Sequence, residues 1–289
     1  MSPAGTSPSI DSPDMRRAGR ELLSLALIDA RNHTLHLLAL YEQALGSETL
    51  AVPQVAGIDP PVWLAGHIGW FAEWWIGRNT QRAFGVECPV RPTRLAAIEP
   101  EADGWWSPAQ RAPADRAAPG LPDLAQTKAY LLDTLESTLE LLEHAAETDA
   151  GLYFYRLALF HEDLRGEQLL VMAQTLGLPL KIELPPAAVT RPPLSLPATP
   201  WELGLAEGGF AFAQERGIER ADVPEFEIDA QPDPWSQGGE FDPQPAFGQA
   251  RVLRGASFAT RARLRSPKRR GFALPERDDG FFGFRTCAL

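Results

Sequence analysis

Four stretches between residues 15 and 183 repeat apolar side chains every three to four positions, and no strand-like alternation separates them. In "ELLSLALIDARNHTLHLLALYEQAL", Leu23, Leu27, Ala30, Leu37, Tyr41 and Leu45 fall close to one face, which predicts a helix from about Met15 to Leu45. "VWLAGHIGWFAEWWIGRN" predicts the second helix, with Asp59 as its N-cap and the two following prolines in its first turn. A loop of about 40 residues, rich in Pro, Ala and charge, follows it. The segment 122–147 is the clearest amphipathic helix, carrying Leu131, Leu132, Leu135, Leu139 and Leu142. A fourth helix runs from about Gly151 to Thr175 and is punctuated by Gly177 and Pro179. Four helices of this kind predict a four-helix bundle over 15–183.

The remainder has a different character. Residues 1–14 are rich in Ser and Pro and read as a disordered tail. The prolines of 184–200 read as a semi-rigid linker. From Trp201 to Leu289, "ERADVPEFEID" and "ARVLRGASFAT" read as short strands between Gly- and Asp-rich turns, so the chain as a whole is expected to be α+β. Those 89 residues carry few strand-like runs and promise only a thin core of their own.

A net charge of −11 and a sequence pI near 5.0 argue against a broad nucleic-acid surface. The one basic run, "RARLRSPKRR" at 261–270, reads as a solvated loop or an anion-contacting turn. No apolar run approaches the ~20 residues of a membrane span, and the N-terminus has no signal-peptide pattern, so a cytoplasmic protein without membrane partners is expected. Two distant cysteines, Cys88 and Cys287, do not make a disulfide framework. Oligomeric state is not legible.

Chemistry concentrates on two helices. Trp63, Gly66, His67, Trp70, Phe71 and Trp74 form the bundle-facing stripe of the second, and Leu157, His161, Leu164, Gln168 and Met172 that of the fourth. His67 and His161 therefore both point inward, as a metal site in a bundle core requires. Buried histidines held by a carbonyl or carboxylate satisfy the same pattern. The tryptophans read first as core, with cation–π contact to a trimethylammonium ligand as the functional alternative. His33 and His36 read as boundary residues, and His144 as part of an exposed helix end.

"DPPVWLAGHIGWFAEWWIGRN", "LALFHEDLRGEQLL", "GGFAFAQERGIERADVPEFEIDAQP" and "RVLRGASFATRARLRSPKRRGFALPERDDGFFGFRTCAL" together resemble the nonheme iron sulfoxide synthases of ergothioneine biosynthesis. "FHED" and "MAQTLG" look closest to the selenoneine synthase branch. The resemblance implies a DinB-like four-helix bundle followed by a formylglycine-generating-enzyme-like domain of C-type-lectin-like fold. It implies iron(II) held by three histidines, one on the second helix and a His-x-x-x-His pair on the fourth. It also implies an oxygen-dependent enzyme that joins sulfur or selenium, from a thiol or a selenosugar, to the imidazole of trimethylhistidine.

Carried over, His67 and His161 match two of the iron ligands, and Arg165 stands where the third should be. A guanidinium has no lone pair to offer. Glu162 is poorly aimed, and Glu167 and His36 lack the spacing to replace it. The second domain is also shorter than the family pattern, as by an internal deletion around 231–246. Two readings follow. One is the iron oxidoreductase. The other is a non-catalytic relic or binding module in which Arg165 is tied to a carboxylate such as Asp163 or Glu162.

Overall fold

A computed structural model describes residues 9–182 apart from 48 and 55–57, 192–228 apart from 206–207, 233–234, 251–253, 255–266, 268–269, 271–273, 281, 283–284 and 287–288. Five α-helices lie in the first part: α1 Arg20–Leu45, α2 Pro61–Ala72, α3 Ala102–Trp106, α4 Leu124–Glu143 and α5 Asp149–Thr175. The four long helices pack together, α2 on α4 and α5, and α1 on α4 and α5. Their ends follow local chemistry. Asp123 and Gln126 form a reciprocal capping box at the start of α4, and Thr148 accepts from the Gly151 amide at the start of α5. Gly46, at φ 61°, ends α1 in the left-handed region that glycine occupies without a Cβ penalty.

The N-terminus of α2 departs from expectation. Pro60 is its N-cap, and Asp59 instead pairs with Arg116 at 2.5 Å. A carboxylate one residue too early cannot reach the first free amides, so the distant cation takes it. At its other end α2 widens into a π-helical turn, Glu73–Gly77, closed by the Arg78 amide donating to the Glu73 carbonyl at 2.8 Å. The buried Glu73 carboxylate accepts from the Ile98 amide at 2.6 Å and from the Tyr130 hydroxyl, which anchors the long loop against α2 and α4.

Within that loop α3 seats Trp106 on Gly66, so closely that a Cβ at Gly66 would lie inside the indole. Trp63 donates to the Trp105 carbonyl at 2.8 Å, and Asp103 accepts from Trp70 and from both Nη atoms of Arg78. Trp63, Trp70, Ala102, Trp106 and Tyr130 thereby form an aromatic cluster beside α2.

The later part contributes strands, which makes the chain α+β. They are β1 Leu194–Leu196, β2 Thr199–Leu203, β3 Glu219–Val223, β4 Phe226–Ile228, β5 Asp233–Pro234, β6 Arg251–Leu253, β7 Gly271–Ala273, β8 Gly283–Phe284 and β9 Cys287–Ala288. They pair antiparallel as β1-β4-β9, β2-β3, β5-β8 and β6-β7. Two of them, β1 and the start of β2, lie inside the Pro-rich stretch 184–200 read as a linker. Pro200 sits in β2, which among the described residues pairs with β3 alone, and a strand with one neighbour can do without an amide on its other side. At the end of the stretch 1–14 read as a tail, Ser12 caps a 3-10 turn at Pro13–Arg17, and Met15, just beyond that stretch, is buried. The deletion inferred around 231–246 lies outside the described residues, except for Asp233–Pro234.

Among the described residues beyond 200, the buried apolar side chains are Phe210, Ala259 and Leu264, and each belongs to a cluster built mainly by the helices. Ion pairs reinforce the docking. Arg16 makes a bidentate pair with the buried Glu215, and Arg263 does so with Asp163 on α5 while also reaching Asp29 on α1. The basic run 261–270 is accounted for in part: Arg261, Arg263 and Arg269 are bound to Asp29, Asp163 and Glu167. No described helix is long and apolar enough to cross a membrane.

Candidate metal centre

His67 on α2 and His161 on α5 are both buried, at 4% and 8% exposure, with ring centroids 5.2 Å apart. Helical periodicity aims each inward, and the surroundings fix each ring. The His67 ring stacks between Trp63 (5.3 Å, 4°) and Trp70 (5.5 Å, 25°), one turn to either side. His161 lies flat on Phe71, with centroids 3.6 Å apart.

The hydrogen bonds define the tautomers. His67 Nδ1 stands 3.0 Å from the Trp106 carbonyl oxygen, which can only accept, so Nδ1 carries the proton and Nε2 carries the lone pair. Such a carbonyl partner is the usual way of orienting a metal-binding imidazole. His161 Nε2 accepts a hydrogen bond from Arg165 Nε at 3.2 Å, so its lone pair is also on Nε2 but is already engaged. Arg165 Nη1 donates onward to Gln168 Oε1 at 2.7 Å. Gln168 Nε2 reaches Asp59 Oδ2 at 3.4 Å, and Asp59 Oδ1 accepts from Arg116. The Arg116 guanidinium lies 4.0 Å from the Trp63 ring centroid, which returns the network to His67.

Both imidazoles are held neutral. Burial, then the positive charge of Arg165, pushes His67 down to about 3, and the same two causes hold His161 well below the ordinary range. His33, at the boundary between α1 and α5, is lowered to about 4, chiefly by burial and then by Arg261. In the unfolded chain these groups take up protons near pH 6.5, while in the fold they do so only below the depressed values. The stability they contribute is thus present above pH 6.5 and is lost as pH falls towards about 3. Between pH 6.5 and 5, urea titrations should show stability falling by about 1.4 kcal/mol per pH unit for each such histidine. A flat profile in that interval would contradict neutral buried imidazoles.

The pair does not fit a three-imidazole ferrous centre. Two imidazoles within 5.2 Å could share an ion, given metal–nitrogen bonds of about 2 Å. However, Arg165 holds one lone pair, its charge opposes a cation, and no group of three or more His, Cys, Asp or Glu side chains stands at metal-binding distance among the described residues. The acidic partners proposed for Arg165 are engaged elsewhere. Glu162 binds Arg31 and Thr34, and Asp163 binds Arg263. Glu167, considered as a replacement ligand, binds Thr260 and Arg269, while His36 is exposed on α1. His144 caps the exposed end of α4.

The faces of Trp63, Trp74 and Trp75 already carry cations. Arg116 lies over Trp63, and Arg94 lies over Trp74 at 3.7 Å and Trp75 at 5.1 Å. On any of these three indoles a trimethylammonium group would have to share the ring with, or displace, one of the protein's own guanidinium groups. Arg116 and Trp106 escaped sequence reasoning because both sit in the long loop, where no periodicity reports direction. Gln168 was visible on the inward stripe of α5.

No protein-family model matches the chain. It is similar to a protein named hercynine oxygenase from Mycolicibacterium smegmatis, 26% identical over 242 residues, covering 80% of this chain and 52% of the relative. It is also similar to one of the same name from Mycolicibacterium thermoresistibile, 27% identical over 250 residues, covering 84% of this chain and 52% of the relative. The chain spans about half the length of the curated relatives it matches.

Proposed function

We propose that the chain descends from oxygen-dependent oxidoreductases of the hercynine-oxygenase type, the nonheme iron enzymes that form a carbon–sulfur or carbon–selenium bond on the imidazole of trimethylhistidine. The observation that carries this reading is the meeting of His67 and His161, from two helices, at the place that the sequence resemblance gives to iron(II). The tautomer of His67 supports it, because the Trp106 carbonyl leaves Nε2 free to ligate. "FHED" and "MAQTLG" favour the selenium-handling branch, with a selenosugar as donor.

A second reading is favoured by one contact, the hydrogen bond from Arg165 to His161 Nε2. With that lone pair engaged and no third ligand among the described residues, this chain acts as a non-catalytic binding module of the same lineage. Anaerobic titration of the purified chain with iron(II), followed by metal analysis, separates the two. Stoichiometric iron, with oxygen uptake when trimethylhistidine and a thiol or selenosugar are added, selects the enzyme. Absence of bound iron from correctly folded protein selects the module, and that is the expected result.

A further inference from the structure

Beside the histidine pair, four partly exposed side chains carry the polar network: Arg165, Gln168, Asp59 and Arg116. Their charges do not cancel. Asp59 is paired with Arg116, and Arg165 has no carboxylate within ion-pair distance among the described residues. Its hydrogen bonds leave from Nε to an imidazole lone pair and from Nη1 to an amide oxygen, both neutral, and Nη2 has no acceptor among the described residues. The imidazoles supply no negative charge, so two guanidinium groups stand beside one carboxylate. Among the described residues Arg165 is bound only through neutral acceptors, with Asp59 acting on it from beyond ion-pair distance, and an anion that brings its own oxygens would give Nη2 a charged acceptor.

A cationic ligand is disfavoured at the same place. The indole of Trp63 is stacked on His67 and already carries Arg116. We infer that the bundle holds a binding site for a small carboxylate, seated on Arg165 and Arg116 at the place where the histidine pair would otherwise invite a metal cation. The inference rests on this geometry and stands whether or not the descent proposed above is right.

Three ring-matched probes differing only in charge test it: benzoate, benzamide and phenyltrimethylammonium, titrated into the full chain by tryptophan fluorescence and ligand-observed NMR. Benzoate should saturate, and the neutral and cationic probes should bind at least tenfold more weakly. In folded Arg165→Gln protein, benzoate affinity should fall at least tenfold. Arg116→Gln should act in the same direction, because it leaves the Asp59 carboxylate unpaired beside the ligand, and it serves as the test if Arg165→Gln does not fold. Benzamide binding as tightly as benzoate, or unchanged benzoate affinity in whichever variant is folded, overturns the inference. Iron titration bears only on the choice between enzyme and module, so that choice and the anion site can fail separately.

Discussion

Replacing Arg263 by alanine is expected to destabilise the chain by about 3–5 kcal/mol, read from urea unfolding at neutral pH. The guanidinium is fully buried and four hydrogen bonds leave it: Nε and Nη2 to the two oxygens of Asp163 at 2.7 and 2.9 Å, and Nη1 to Asp29 at 2.8 Å and the Ile10 carbonyl at 3.2 Å. Asp163 is 2% exposed, so truncating Arg263 strands a carboxylate that neither water nor another cation can reach without rearrangement. That stranded charge, more than the lost attraction, sets the size of the effect. Among the described residues, few apolar side chains beyond residue 200 are buried, so this pair is a principal tie between the later segment and α1 and α5. A loss below about 1 kcal/mol would mean that the tie is made elsewhere. Asp163 is two residues from His161, so the same substitution should also loosen the turn of α5 that presents the histidine pair.

That pair of ions shows why part of the site was legible in the sequence and part was not. The 3.6-residue repeat reports which face of a helix is buried, and so it aimed His67 and His161 inward and set Arg165 one turn from His161. It carries no information on which residue from a distant segment meets that face. Glu162 is met by Arg31, 131 positions away, and Asp163 by Arg263, 100 positions away. Both acids looked available to Arg165 because their partners are non-local. Asp59 lies one residue before the N-cap, and the partner that takes its carboxylate is again distant: Arg116, 57 positions on. The π-helical turn at Glu73–Gly77 has no signature in hydrophobic spacing, since one extra residue in a turn hardly alters an aromatic-rich pattern. The strand β1 was hidden for a further reason. Its pairing with β4 joins Leu194 to Ile228 across a long separation, while the flanking prolines locally favour an extended, unpaired chain.

Arg165→His is the substitution with the largest expected gain. At present His67 offers a lone pair, His161 has its own engaged by Arg165, and the guanidinium charge disfavours any cation beside them. Histidine at this position removes the charge, frees His161 Nε2, and adds an imidazole one helical turn away on the face that already holds His161. Three neutral imidazoles leave open coordination positions on a divalent ion. Iron(II) affinity, measured anaerobically with metal analysis, should rise by roughly 100-fold or more, about 2.7 kcal/mol. Arg165→Gln supplies the necessary contrast, because it removes the charge without adding an imidazole. If both variants gain equally, electrostatic repulsion was the barrier. If only the histidine variant gains, ligand count was, which is the outcome the geometry favours. A folded Arg165→His protein that still takes up no iron would place the defect outside residue 165, in the setting of His67 against Trp106 or in the later segment. The same variant should lose benzoate affinity as it gains the metal, because one position cannot both supply a guanidinium to an anion and an imidazole to a cation.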